Sequence, residues 1–299
     1  MYIPEDQLKT WSNQGGTANS MTAHNSIRNV LEANDSPLKG KDFEIFLQGS
    51  YRNSTNVRAD SDVDVVVQSN EVFYSDVSRL PLDQKAAQRS IGAGSYNAPD
   101  WRADVEKALR KKFGTALKPG SGKAFHVVTG PGNMTADVLP AIRFKNYTFF
   151  QSLNNEGYDE GLQFVDAAGN AVVNYPKLHI KNGEAKNSLL QTNGRYKPTV
   201  RMFKNARNCA IERNLLPKGI APSYFVECLL FNVLDVHYRG AGLRETYFNI
   251  VKYLMENPIG AFMCQNGQLA LFGTSSTQWN TTDASVFIRG LANLWDRWE

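Results

Sequence analysis

Phe46-Leu47-Gln48-Gly49-Ser50, followed by Asp62-Val63-Asp64-Val65, is the stretch that decides how this chain is read. An apolar run ends in a Gly-Ser turn of the kind that holds a phosphate, and a second apolar run then carries two carboxylates. Alternate residues of a strand point to the same face, so Asp62 and Asp64 project together while Val63, Val65 and Val67 face the other way. Two such carboxylates beside a phosphate-binding turn suit a pair of Mg²⁺ ions, with Mn²⁺ able to substitute, clamping a nucleoside triphosphate. Asp60 shares the parity, but it precedes the apolar run and is set aside in favour of Asp62 and Asp64.

A third acid stands in Met134-Thr135-Ala136-Asp137-Val138-Leu139-Pro140-Ala141. Gly130-Pro131-Gly132-Asn133 is a turn signal between strands expected at 124–129 and 134–139. A strand entered from that turn and paired near 62–67 brings Asp137 onto the same sheet face. In such a site Asp62 and Asp64 bridge two ions about 3.5–4 Å apart. One ion supports a departing pyrophosphate, and the other, with Asp137, activates an attacking sugar hydroxyl.

Outward from these strands, the spacing predicts a helix over 17–34, closed by Asn34-Asp35-Ser36-Pro37, strands over 43–48 and 62–68, and a helix over 100–112 capped by Asp100. From Tyr175 the character changes. Segments 175–190, 195–213, 222–235, 244–256 and 283–298 read as helices, broken by Asn193-Gly194, Pro217-Lys218-Gly219, Gly240-Ala241-Gly242 and Pro258-Ile259-Gly260. The expected architecture is α/β (α+β). A mixed-sheet catalytic lobe with an N-terminal helix spans 1–174, a helical lobe over 175–299 completes the nucleotide pocket, and the site lies in the cleft between them.

A net charge of +4 over 299 residues is mild and favours an anionic small molecule over a long nucleic acid. The one dense basic run, Arg110-Lys111-Lys112, reads as a solvated helix end. Cys209, Cys228 and Cys264 lie far apart without a C-x-x-C pair, which argues against a zinc ribbon and for a reducing cytoplasm. No secretory leader and no apolar run of about eighteen residues appears, so no membrane is expected. Gly120-Ser121-Gly122-Lys123-Ala124 is not a phosphate loop, because Leu117 and Ala124 stand where that loop needs Gly and Ser or Thr. His24, His126, His179 and His237 show no metal spacing and read as structural, which leaves a hydrolase without support. Trp279, Phe287, Trp295 and Trp298 read as packing for the last helix.

Gln48-Gly49-Ser50-Tyr51, with Asp62-Val63-Asp64 and Asp137-Val138-Leu139-Pro140-Ala141, resembles the DNA polymerase beta superfamily of nucleotidyltransferases. Two further segments, Tyr196-Lys197-Pro198-Thr199-Val200-Arg201-Met202-Phe203-Lys204-Asn205-Ala206-Arg207 and Pro222-Ser223-Tyr224-Phe225-Val226-Glu227, narrow the likeness. With them the chain resembles the bacterial cGAS/DncV-like nucleotidyltransferases (CD-NTases), nearest clade E, which make cyclic oligonucleotide signals in anti-phage defence. The resemblance implies that Gly49 and Ser50 touch the terminal phosphates and that Asp62, Asp64 and Asp137 hold the metal ions. It further implies that Lys204 and Ser223 hold the β- and γ-phosphates. Gln48 belongs to the same nucleotide-binding turn, chiefly as its support, and Tyr224 either stacks on a base or packs in the core. In that family the region of Asn174, His179 and Asn182 helps choose the base. Asn182 is singled out because an amide offers both donor and acceptor to uracil, although a helix cap explains the same residue.

The implied activity joins nucleoside triphosphates into a cyclic dinucleotide with release of pyrophosphate, the product being read by an effector. A cytoplasmic monomer without a nucleic-acid activator is implied, since neither an extra basic surface nor a zinc element is present. Transfer to an RNA, protein or small-molecule acceptor is the alternative, and a silent nucleotide-binding scaffold is the rival of another class.

Overall fold

Val63, Val65 and Val67 alternate with Asp64, Val66 and Gln68, and this alternation gives the central sheet two differently covered faces. The computed structural model describes residues 2–298 apart from 17, 58–61, 93, 120–121, 130–134 and 276, and apart from the side chains of 18–20. The chain runs α1 (Glu5–Ser12), α2 (Ala18–Leu31), β1 (Phe43–Leu47), α3 (Gly49–Asn53), β2 (Val63–Asp76), α4 (Leu82–Arg89), α5 (Ala98–Phe113), β3 (Leu117–Pro119), β4 (Phe125–Val128), β5 (Thr135–Ser152), β6 (Asn155–Val165) and β7 (Ala171–Asn174). Helices α6 (Pro176–Lys186), α7 (Leu189–Thr192), α8 (Tyr196–Glu212), α9 (Ser223–Phe231), α10 (Leu243–Glu256) and α11 (Thr281–Asp296) follow. Asp60 and the turn at 130–133 fall outside the described residues, as do Gly120 and Ser121.

One compact unit comprises residues 17–51 and 60–177. Its sheet has the order β1-β2-β5-β4-β3, with β6 pairing β5 and β7 pairing β6. β2 and β5 run parallel, and the other described pairs are antiparallel. Val63, Val65, Val67, Phe125, Val127, Ala136 and Val138 bury one face against Ile27 and Leu31 of α2 and Trp101, Val105 and Leu109 of α5. Trp101 is wholly buried, and its indole N–H donates to the Val67 carbonyl at 2.9 Å. Residues of the other parity, Val66, Leu139 and Ala141, join Leu162 and Phe164 in a smaller cluster.

Several elements depart from expectation for identifiable reasons. The helix expected over 100–112 begins at Ala98, and its cap is Asn97. Asn97 Oδ1 accepts from the Asp100 amide at 3.0 Å, and the Asp100 carboxylate accepts from the Asn97 amide at 3.2 Å. Asp100 is therefore the third helical residue of a capping box. The strand expected to stop at 139 continues through Pro140 to Ser152. Pro140 tolerates this position because β4 pairs β5 only as far as Val138 and β6 begins at Ile142. At Pro140 one side of β5 is unpaired, so a missing N–H there costs no ladder bond. β2 likewise continues to Asp76 past a register shift between Ser69 and Phe73.

A second compact unit comprises 1–16, 52–59 and 178–299. The first two segments, assigned above to the catalytic lobe, join the helical unit through burial and hydrogen bonding. Ile3 and Leu8 are wholly buried with Tyr196, Val200 and Phe203 of α8. Asn53 and Thr55 donate to the Glu227 carboxylate at 3.2 and 2.6 Å. Trp279 stacks on Phe225 and Phe272, Trp295 stacks on Tyr247, and Trp298 meets Trp11 edge-on, so the aromatic residues near the C-terminus are packing groups of this unit. Among the described residues no helix is long and apolar enough to cross a membrane.

Glu227 is the polar centre of the helical unit. Its carboxylate accepts from Asn53, Thr55 and the Lys204 ammonium, and His179 Nε2 lies 3.2 Å away. Burial opposes the charged form, yet Lys204 and His179 hold the carboxyl well below the usual glutamate range. A carboxyl depressed in the folded state stabilises the fold above its unfolded value, and that contribution is lost as pH falls below about 4.5. Glu227→Gln is expected to cost about 3–5 kcal/mol at neutral pH, because it strands a buried ammonium. It is also expected to flatten the fall in melting temperature between pH 5 and 3, as measured by calorimetry across that range.

Candidate active site

β1 and β2 are antiparallel with Leu47 opposite Val65, and the Gln48 amide donates to the Asp64 carbonyl at 3.0 Å. Gly49 follows directly, at φ +67°, and a Cβ there would lie 2.1 Å from Asp64 Oδ2. Only glycine meets both demands, a left-handed backbone and a carboxylate packed against the α-carbon. Ser50 comes next, in the first turn of α3, where backbone N–H groups have no intrahelical partner.

The parallel pairing of β2 and β5 sets Asp64 directly opposite Asp137, and the antiparallel pairing of β5 and β4 sets Asp137 opposite His126. Asp62 precedes β2 on the same face and accepts a hydrogen bond from Thr135 Oγ1. Ligand atoms of Asp62, His126 and Asp137 lie within 4.8 Å of one another. Desolvation, with the charges of Asp137 and Asp62, pushes the Asp64 carboxyl up to about 7 against the pull of Lys123. A carboxyl that burial first, and neighbouring carboxylates second, lead to keep a proton to neutral pH belongs to a fitting donor set for a divalent cation, which takes the place of that proton.

Other expected residues occupy varied positions. Lys204 was expected on a phosphate, but its side chain is 1% exposed and its ammonium bonds Glu227 and the Thr55 carbonyl. Ser223 is exposed at the start of α9, and its hydroxyl accepts from Arg207 at 3.3 Å. Tyr224 is half-buried against the helical core, with its ring stacked on His179 at 5.4 Å. The Asn182 amide donates to the Gln265 carbonyl at 2.8 Å, and Asn174 Oδ1 accepts from the Tyr175 amide. Along the chain His126 has no metal spacing and reads as structural, whereas strand pairing brings it to Asp137. The signal was present in Phe125-His126-Val127, where two apolar flanks on one face consign the imidazole to the other.

A sheet-borne acid cluster behind a Gly-Ser turn belongs to the nucleotidyltransferase class, and residues 27–136 match the nucleotidyltransferase domain. Residues 181–296 match the cGAS/DncV-like nucleotidyltransferase C-terminal helical domain. The chain belongs to the cGAS/DncV-like nucleotidyltransferase family. It is 43% identical to the cyclic UMP-AMP synthase of Rhodothermus marinus (strain SG0.5JP17-172), over 100% of this chain and 99% of that protein. It is 36% identical to the cyclic nucleotide synthase CdnE01 of Staphylococcus haemolyticus, over 100% of both. The solved structure of Rhodothermus marinus CdnE c-UMP-AMP synthase with Apcpp and Upnpp superposes with a TM-score of 0.88 at 41% identity, covering 99% of this chain and 97% of that one. The Elizabethkingia meningoseptica CdnE cyclic dinucleotide synthase with GTP and Apcpp gives 0.74 at 28% identity, covering 97% and 98%.

Two outcomes are expected from this geometry. In metal-free protein, carboxyl ¹³C NMR should show Asp64 titrating near pH 7, and Asp137→Asn should move that midpoint down by removing a repelling charge. Because the folded carboxyl keeps a proton that the unfolded chain releases near 3.8, metal-free stability falls as pH rises from there through about 7. Gly49→Ala should cost about 1–2 kcal/mol of stability through its left-handed backbone. It should also abolish pyrophosphate release by displacing Asp64 from a chain that is still folded by circular dichroism.

Proposed function

We propose that this protein is a cyclic dinucleotide synthase that joins two nucleoside triphosphates and closes them into a ring. The observation that carries the reading is the register placing Asp64 opposite Asp137, with Asp62 on the same face. Asp62, Asp64 and Asp137 hold the divalent cations, Mg²⁺ with Mn²⁺ as substitute. When bound, such ions neutralise the triphosphate and stabilise charge on the attacking and leaving oxygens. Gly49 and Ser50, supported by Gln48, receive the triphosphate through backbone N–H groups, and Ser223 meets a phosphate with its hydroxyl. Lys204 acts through its ion pair with Glu227, which ties α8 to α9 behind Ser223.

Asp137 sets the sugar hydroxyl of one nucleotide in line with the α-phosphorus of the other. A phosphorus–oxygen bond forms to that hydroxyl oxygen as the bond to pyrophosphate breaks. A second transfer within the linear product closes the ring and releases a second pyrophosphate. Tyr224 packs against the helical core, which leaves Asn182 as the base contact of this reading, and the likeness to a cyclic UMP-AMP synthase favours uracil in one position. We further infer a cytoplasmic monomer that needs no nucleic-acid activator and serves anti-phage defence through an effector that reads the product.

The test is incubation with the four triphosphates and Mg²⁺ or Mn²⁺, followed by phosphatase treatment and mass spectrometry. The expected product is a phosphatase-resistant cyclic dinucleotide that the Asp62→Asn/Asp64→Asn double variant fails to make. A product formed only when an RNA, protein or small-molecule acceptor is added would replace this reading with transfer to that acceptor.

A further inference from the structure

We propose that His126 is a positioning residue that fixes the carboxylate of Asp137, an inference that rests on the reading of Asp62, Asp64 and Asp137 as the metal-holding acids. His126 and Asp137 are direct cross-strand partners in the β4–β5 pairing. Phe125 and Val127, on either side, are buried on the opposite face of the sheet, so strand parity leaves the imidazole one place to go. His126 Nδ1 lies 3.0 Å from Asp137 Oδ1. Toward an ionised carboxylate, which only accepts hydrogen bonds, the imidazole is the donor through Nδ1.

This bond decides what Asp137 can do. Its side chain is 36% exposed, and its terminal torsion is of the broad, weakly restrained kind. Tying Oδ1 to the imidazole fixes the plane of the carboxylate and with it the directions in which its remaining lone pairs face the metal and the attacking hydroxyl. The imidazole is anchored in turn. Arg102 of α5 lies over the Phe125 ring at 4.1 Å and donates to the Lys123 carbonyl at 2.9 Å, so the chain is held where it enters β4, just before His126, while pairing with β5 holds the strand itself. Partners that orient a metal ligand by hydrogen bonding matter nearly as much as the ligand itself. A direct ligand role suits His126 less, because Mg²⁺ and Mn²⁺ prefer oxygen and Nδ1 already faces an oxygen of Asp137.

The experiment compares His126→Ala, His126→Asn and Asp137→Asn in the full chain. Asn places a donor close to where Nδ1 stands. Readouts are kcat and KM for the triphosphates, Mn²⁺ affinity by electron paramagnetic resonance, melting temperature, and the electron spin echo spectrum of Mn²⁺ bound to the unaltered protein. His126→Ala is expected to lower kcat and Mn²⁺ affinity about 10–100-fold with KM near the original. His126→Asn should recover most of that loss, and the echo spectrum should show no imidazole nitrogen bound to the ion. Strong nitrogen coupling would make His126 a ligand and overturn the proposal. So would unchanged kcat and Mn²⁺ affinity in His126→Ala while Asp137→Asn is inactive. Full turnover by Asp137→Asn would instead overturn the assignment of the three acids.

Discussion

The site depends on the parallel pairing of β2 with β5. Two acids far apart in the chain face each other only because Asp64 and Asp137 share a register position. A slip of one residue would send Asp137 to the face packed against α2 and α5 and bring Val138 into its place. That register is enforced from the opposite face, where Val63, Val65, Ala136 and Val138 are buried around Trp101. The hydrophobic core thus sets the chemistry by fixing which residues are turned away from it.

Crowding acidic groups raises the energy of the metal-free fold, and the neighbourhood of Asp64 bears this out in detail. Gly49 brings backbone against the carboxylate where any side chain would collide, and Asp137 and Asp62 add their charge. Strain of this kind is tolerated where binding relieves it. The helical unit solves the opposite problem. There a buried carboxylate, Glu227, meets Lys204, Thr55, Asn53 and His179 and leaves little for a ligand to satisfy. Similar side chains therefore play unlike parts: one cluster is poised for a cation, and the other already contains its own.

Much of this was legible beforehand. Asp62, Asp64 and Asp137 could be grouped because a period of two, a Gly-Ser turn and a second strand are all local signals. The helices of the C-terminal half were legible from periodicity and from the Gly and Pro residues that break them. The extension of β5 past Pro140 was not, since a proline reads as an end unless the chain's neighbours on each side are known. Nor was the passage of 1–16 and 52–59 into the helical unit, which rests on Ile3, Leu8, Asn53 and Thr55 finding partners distant in sequence.

By itself the amino-acid sequence determined the class of chemistry, because residue type and spacing within a strand or turn are properties of a few neighbouring positions. Tertiary structure alone decided that His126 stands beside Asp137 and that Lys204 is spent on Glu227. Those are contacts across strands and between helices. Local pattern gives the face on which His126 stands, through its flanks Phe125 and Val127, but which strand or helix lies beside it follows from how the whole fold packs.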